Sequence, residues 1–226
     1  MLYKTRGIAL SFIRYKETSI IARVYTEAFG MQSYIVNSVR SKTAKTKIAL
    51  FQPLTLLDLV VYHQERRAIH RISEMKCNHS FQTIPFNIKK TAIALFITEL
   101  IGQALFEEQE NEALFSFMHE SIVALDEAPE KFENFHIQFM MVLSKYLGIK
   151  PETSRDMLLE VGHLKMYDRE FIDKVDFFVK SGFGEHIRLI KSERNDILKL
   201  LIDYYRYHYD AIREFKSIHV LREVLG

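Results

Sequence analysis

Apolar and polar residues alternate along roughly the first 75 residues of the chain, a length that suits a small barrel. Ile8, Leu10 and Phe12 share one face of a first strand, which Arg6 and Arg14 flank in the same register. The same period predicts further strands at 19–26, 31–39, 51–63 and 68–76. Five short strands are typical of a Greek-key barrel of the OB type. The fourth is apolar on both faces, so we expect another domain to cover the outside of the barrel.

After Pro85 the apolar residues recur with the period of a helix, beginning in "FNIKKTAIALFITELIGQALFEE". This pattern predicts helices at 86–108, 112–125, 132–147, 169–181, 193–209 and 218–225. The segment 148–168 has no clear period and is interpreted as a long connection or a small hairpin. The predicted fold class is therefore α+β, with an OB-fold domain over 1–80 and an all-α helical domain over 81–226.

The formal net charge of +2 hides an asymmetry between these two parts. Residues 1–80 contain 13 Lys and Arg against 5 Asp and Glu, a net charge of +8, whereas residues 81–226 contain 18 against 24, a net charge of −6. The attraction of Lys and Arg for phosphate is long-ranged and independent of base sequence. The first part is therefore expected to bind a polyanion, and the second is not.

The residue content limits the other function classes. Cys77 is the single cysteine, which excludes an internal disulfide and a thiolate zinc cage and favours a reducing compartment; we interpret it as a buried structural thiol. Lys4 and Arg6 interrupt the N-terminus where a secretory signal needs an apolar run. We expect a cytoplasmic protein that is neither exported nor embedded in a membrane.

Catalytic and metal motifs are weak in this chain. It has no GxGxxG, GxxxxGK[ST], GxSxG or HExxH pattern, so an enzyme is a distant third hypothesis. The glutamates of "FEEQENE" are interpreted as a solvated face. Half of the tyrosine run "DYYRYHYD" is expected to pack in the core, because Tyr204 and Tyr205 have partners at helical spacing.

A basic segment between the third and fourth predicted strands is the main candidate site. Arg40, Lys42, Lys45 and Lys47 occur there without an acidic residue, and a solvated loop tip is the alternative interpretation. In an OB barrel, single strands lie across strands 2 and 3, where cations contact phosphates and tyrosines stack on bases. The candidate DNA-binding residues are Arg14, Arg23, Tyr25, Tyr34, Arg40, Lys42, Lys45, Lys47, Arg66, Arg67 and Arg71. For the last three, an exposed hairpin tip is the alternative.

The segments "RYKETSIIARVYTEAFGMQSYIVNSVRSK" at 14–42, "LFQPLTLLDL" at 50–59 and "FKSIHVLREVL" at 215–225 resemble the bacterial recombination mediator family RecO. The resemblance implies binding of single- and double-stranded DNA, annealing of complementary strands, and help in loading RecA. It also implies two protein partners, RecR and the acidic tail of the single-stranded DNA-binding protein (SSB), and no cofactor. The alternative is an OB-fold regulator that recruits partners without annealing strands.

Two departures from the family pattern carry expectations. In "VNSVR", Asn37 and Ser38 replace an Arg and a Gly of the family pattern, which removes one expected phosphate contact. Residues 148–186 contain no cysteine, so the zinc knuckle that many relatives carry is expected to be absent. The SSB tail needs an apolar pocket beside cations. The candidate residues for it are Phe86, Lys89, Lys90, Met141 and Lys145.

Overall fold

Five strands close into a barrel in the computed structural model, which describes residues 1–37, 39, 48–64, 67–105, 110–162 and 167–225. The strands are β1 (Leu2–Tyr15), β2 (Ser19–Thr26), β3 (Gly30–Val36), β4 (Leu56–Tyr62) and β5 (His70–Cys77). Their order around the barrel is β1-β2-β3-β5-β4. The prediction of a five-stranded OB-type barrel followed by helices is confirmed.

Strand β1 is long enough to pair with two neighbours. Its first half pairs with β4 and its second half with β2, and the register shifts once, between Ala9 and Ser11. Such a bulge bends a strand and helps it to curve around a barrel. A Cβ atom at Gly7 would lie 2.8 Å from side-chain carbons of Leu59 and Val24, so glycine is required where β1 passes closest to the barrel core.

The fourth strand begins later than the pattern 51–63 predicts. Phe51 and Leu54 are buried, but they precede β4 in an irregular segment. Leu54 has a φ of 63°, which interrupts an extended chain, and its N–H donates to the carbonyl of Ala9 at 2.8 Å. The apolar run therefore predicts burial correctly but overestimates the length of the strand.

Stacked aromatic rings hold the base of the hairpin between β4 and β5. The ring of His63 lies 4.0 Å from that of Phe29 and 4.2 Å from that of His70, centroid to centroid, and both pairs are stacked. The backbone N–H of Gln64 donates to His70 Nδ1 at 3.4 Å. These contacts orient β5 where it pairs with β3.

Seven helices with described bounds follow the barrel. They are α1 (Ile88–Ala104), α2 (Glu112–Glu127), α3 (Phe135–Tyr146), α4 (Ser154–Glu160), α5 (Arg169–Lys180), α6 (Lys191–His208) and α7 (Ile218–Val224). The interpretation of 148–168 as a connection or hairpin was wrong, because α4 lies within it. Thr153 and Asp156 form a capping box at its start, and Met157 and Leu158 are buried.

The chain divides into two compact units. One contains Met1–Phe86 and Leu105–Glu127, and the other contains Asn87–Ala104 and Ala128–Gly226. In the first, Phe115 of α2 stacks on Tyr25 of the barrel at 6.4 Å and lies under the Arg6 guanidinium at 5.0 Å. A helix thus covers part of the outer barrel surface. The predicted boundary near residue 80 stays a prediction.

The tyrosine run packs in the second unit. Tyr204 and Tyr205 of α6 are buried, and their hydroxyls donate to the carbonyls of Ile149 and Met140, each at 2.6 Å. Because each buried hydroxyl has an acceptor, both rings can pack without an unsatisfied polar group. The expectation of core packing is confirmed for these two residues.

Asp126, in the last turn of α2, anchors the segment that follows β5. Its buried carboxylate accepts hydrogen bonds from the backbone N–H groups of Gln82, Thr83 and Ile84 at 2.8, 2.9 and 2.9 Å. His79 Nε2 lies 3.2 Å from the same carboxylate. Burial alone would raise the pKa of Asp126, but these partners lower it to about 2. The ionised form therefore stabilises the first unit.

We expect Asp126→Asn, which removes the charge and keeps the volume, to lower the free energy of unfolding at pH 7 by about 2 kcal/mol. The pKa of Asp126 is lower in the folded protein than its ordinary value of 3.8. Its contribution is therefore complete above about pH 5 and is lost as the pH falls toward about 2. Urea titrations at pH 7 and in acid should show the stabilities of the two proteins converging.

Glu120→Gln is the matched control, because Glu120 is exposed on the same helix. This variant should unfold as the wild type does at pH 7. An Asp126→Asn variant of unchanged stability would show that the carboxylate does not anchor residues 82–84.

Candidate nucleic-acid interface

One end of the barrel carries exposed cations. Arg14, near the end of β1, and Lys16, in the turn that leads to β2, are both exposed. The N–H of Val39 donates to the carbonyl of Thr18 in that turn at 3.0 Å, so the chain leaves β3 beside these cations. The predicted cations that come next in the sequence lie outside the described residues; they are Arg40, Lys42, Lys45 and Lys47.

The second predicted basic cluster is divided between two places. Because β5 runs parallel to β3 with His70 opposite Tyr34, the residues before His70 lie toward the start of β3. Arg67 is exposed there, at the opposite end of the barrel from Arg14, and Arg66 lies outside the described residues. The structure therefore does not bring Arg67 together with Arg14.

Arg23 and Arg71 lie on the outer barrel surface between these ends. Arg23 is opposite Ser11 of β1 and Ser33 of β3, and it is half-buried, which lowers its pKa. Arg71 is exposed and lies opposite Ile35 of β3. Strands β2 and β5 are both neighbours of β3, so the two arginines share one outward surface.

The predicted stacking role of Tyr25 and Tyr34 needs correction. Tyr34 lies inside the barrel with no exposed surface, in the same alternation as Gln32 and Val36. Tyr25 points outward, but α2 covers it through Phe115, and its exposure is only 2%. Burial raises the pKa of both hydroxyls, that of Tyr25 to about 12. Neither ring is accessible to a base.

A cavity of about 540 Å³ opens on strands β1, β4 and β5, but its charges are mixed. Arg6 pairs with Glu27, with N–O distances of 2.5 and 2.9 Å, and Lys76 pairs with Asp58 at 3.3 Å. The hydrogen bond to Glu27 raises the pKa of Arg6. These cations are neutralised within the barrel unit, so the cavity does not form a polyanion site.

The five candidate residues for the SSB tail differ in exposure. Phe86 is 83% exposed, Lys145 is exposed and Lys89 is half-buried. Lys90 is only 1% exposed, with Nζ 5.1 Å from the centroid of the Phe132 ring, and Met141 is 2% exposed. Lys90 and Met141 therefore do not line a surface pocket, and their assignment to one was wrong. Both side chains are among the buried residues of their helices and face the packed interior.

The interpretation of Cys77 as a buried thiol was wrong. Cys77 is the last residue of β5 and is exposed, and its thiol donates to the carbonyl of His79 at 3.1 Å. Within the described ranges, no three His, Cys, Asp or Glu side chains are grouped so that they could hold a metal ion. None of the described helices is both long enough and apolar enough to cross a membrane.

Family models match both parts of the chain. The model "Recombination protein O N terminal" matches residues 1–81, which hold the barrel, and the model "Recombination protein O C terminal" matches residues 85–160. The chain belongs to the RecO family of DNA repair proteins. The resemblance to that family is therefore confirmed.

Individual relatives match along the whole chain. The proteins described as "DNA repair protein RecO" from Phocaeicola vulgatus and Flavobacterium psychrophilum are 34% and 32% identical to it, with 100% of both chains covered. The protein of the same description from Bacteroides fragilis is 34% identical, with 99% of each chain covered. The RecO family thus accounts for both the barrel and the helices.

We expect the purified protein to contain no stoichiometric zinc, because the helical part of the chain has no cysteine thiolate to bind it. Atomic absorption of dialysed protein checks this. A chelator should also leave the melting temperature unchanged, since loss of a structural metal is coupled to unfolding. One equivalent of zinc, or a lower melting temperature with chelator, would reveal a site built from histidine and carboxylate.

Proposed function

We propose that this protein is a recombination mediator in DNA repair. It binds single- and double-stranded DNA, anneals complementary strands, and helps to load RecA onto single-stranded DNA that is coated with SSB. One observation carries the assignment of the DNA surface to the barrel. Val39, which precedes the basic residues 40–47 in the sequence, donates a hydrogen bond to Thr18 in the turn that carries Lys16, next to the exposed Arg14.

The buried tyrosines favour annealing over binding by base stacking. With Tyr25 and Tyr34 covered, the cations of the barrel end can hold DNA through its phosphates, which leaves the base edges free. Neutralised phosphates repel a second strand less, so pairing can begin on the protein. The free energy of the reaction comes from base pairing, and the mechanism requires neither a cofactor nor a catalytic residue.

We assign the protein contacts to other surfaces. RecR and the acidic SSB tail are the proposed partners, with RecA acting downstream, and the site of action is the cytoplasm at the nucleoid. Residues 81–226 have a net charge of −6, so they are a poor DNA surface and a better protein surface. Lys89 and Lys145 remain as candidate cations for the tail, because they are not fully buried.

We expect the replacement of all four cations in the segment 40–47 by Ala to make DNA binding less dependent on salt. The four residues are Arg40, Lys42, Lys45 and Lys47. Loss of four phosphate contacts should reduce the slope of log K against log salt by roughly three to four units. Fluorescence anisotropy of a labelled duplex over a salt series measures the slope. An unchanged slope would show that the segment is only a solvated loop.

The control removes the same charge from the other part of the chain. Four exposed cations there can be replaced together by Ala: Lys150, Arg155, Arg169 and Arg188. The net charge changes equally in both variants. If residues 40–47 contact DNA directly, only the variant in 40–47 should have a reduced slope of log K against log salt. Equal reductions in both would indicate a diffuse effect of net charge.

We expect the wild-type protein to accelerate the pairing of complementary labelled oligonucleotides, and the fourfold variant in 40–47 to slow this toward the spontaneous rate. Energy transfer between the two labels follows duplex formation directly. A protein that binds both strands without accelerating their pairing would instead be an OB-fold regulator that recruits partners. The measurement therefore separates the two hypotheses that the sequence left open.

A further inference from the structure

The outer barrel surface carries a row of apolar side chains that crosses three strands. Ile13 of β1 lies opposite Ile21 of β2, and Ile21 lies opposite Ile35 of β3. Their neighbours Phe12 and Ile20 belong to the barrel core, so alternation directs the row outward. Ile13 is 64% exposed, and the other two are partly exposed.

Two arginines border this row, and we call the whole surface the isoleucine face: Ile13, Ile21 and Ile35 with Arg23 and Arg71. Arg71 continues the row opposite Ile35, and Arg23 lies two residues along β2 from Ile21. From β1 to β5 the face crosses three inter-strand steps, a span of roughly 14 Å. A short helix or extended segment can cover such a width.

The charge of the isoleucine face is unbalanced. Among the described residues, no carboxylate forms an ion pair with Arg23 or Arg71. Burial alone lowers the pKa of Arg23, which is half-buried between Ser11 and Ser33. A partly desolvated arginine without a counter-ion favours an incoming carboxylate, which it can bind through two parallel hydrogen bonds.

The apolar part of the isoleucine face suits a protein better than a nucleic acid. Single strands are bound by flat aromatic rings that stack on bases, whereas Ile13, Ile21 and Ile35 present branched aliphatic groups. Apolar side chains with arginine at their border are typical of the core of a protein interface. The two rings predicted to stack on bases, Tyr25 and Tyr34, are buried. Tyr62, which lies opposite Arg71, is 44% exposed, and an exposed tyrosine is also typical of protein interfaces.

We propose that the isoleucine face docks a partner protein through a segment that presents aliphatic side chains flanked by carboxylates. The aliphatic side chains cover the three isoleucines, and the carboxylates pair with Arg23 and Arg71. This surface adjoins the end of the barrel at which DNA binding is proposed, because Ile13 directly precedes Arg14 on β1. The assignment goes beyond the proposed function and does not require it.

The test uses the full chain and a fluorescein-labelled peptide in which Leu and Asp residues alternate. Ile13→Lys combined with Ile35→Lys should weaken peptide binding, measured by anisotropy, by about tenfold or more, since it removes apolar contacts. Arg23→Ala should weaken it by a similar factor. A peptide with Ser in place of Leu should lose affinity for the wild type.

The matched control places lysine on an exposed apolar residue elsewhere. Ile190→Lys and Leu159→Lys change residues that are 62% and 53% exposed in the other unit, and both should bind the peptide as the wild type does. Thermal melts of every variant check folding, and Arg23→Ala provides a second variant if the double lysine variant does not fold.

A labelled oligothymidylate distinguishes protein docking from DNA binding at this face. Added lysines should leave its binding unchanged or strengthen it, while they weaken peptide binding by about tenfold or more. The proposal is overturned if the peptide does not bind the wild type, or if the lysine variants bind it normally. It is also overturned if Arg23→Ala weakens oligothymidylate binding as much as peptide binding. Sedimentation that shows a dimer lost in the lysine variants would assign the face to a second copy instead.

Discussion

The parallel pairing of β3 with β5 closes the barrel and thereby decides which side chains partners can contact. Tyr34 lies opposite His70 and Ile35 opposite Arg71, so the first pair of side chains points inward and the second outward. A slip of one residue would reverse both assignments. The stack of His63 on His70 supports this register from inside. The proposed phosphate-binding end and the isoleucine face both depend on it, because each takes its residues from strands that this closure holds in place.

Net charge indicates a polyanion surface only when the cations that already form ion pairs within the protein are left out of the count. Residues 1–80 carry +8, yet Arg6 and Lys76 are paired with Glu27 and Asp58 on the barrel itself. The cations that remain for phosphates in the described chain lie mainly at the ends of strands. Arg23 differs from them, because it is half-buried in the middle of β2, between Ser11 and Ser33. One basic barrel can thus offer two surfaces of different chemistry.

Several charged side chains support the architecture and are not available to ligands. Arg194 donates to Asn134 Oδ1 at 2.9 Å and to the carbonyls of Leu225 and Leu189 at 2.7 and 3.1 Å, which joins α6 to the end of the chain. Lys90 is buried against Phe132 in the same unit. A lysine or arginine beside the apolar stripe of a helix can therefore either border a surface pocket or be buried and support the fold. Packing decides between them, because only packing determines which flank of the stripe is covered.

The sequence by itself determined the five strands and six of the seven described helices, because apolar periods of two and of 3.6 residues are read from neighbouring positions alone. It also determined the basic character of the barrel, because net charge is a count of residue types. It did not determine α4, because residues 148–168 show no clear apolar period and the helix depends on the capping box of Thr153 and Asp156 and on the burial of Met157 and Leu158. Alternation grouped Tyr34 with one face of β3 and Arg23 with one face of β2, but a periodic pattern does not say which face lies inside. Tertiary structure decided that Tyr34 is core, that α2 covers Tyr25, and that Ile13 and Ile35 remain at the surface. These outcomes depend on strand pairing and helix docking between residues far apart in the chain, which no local pattern contains.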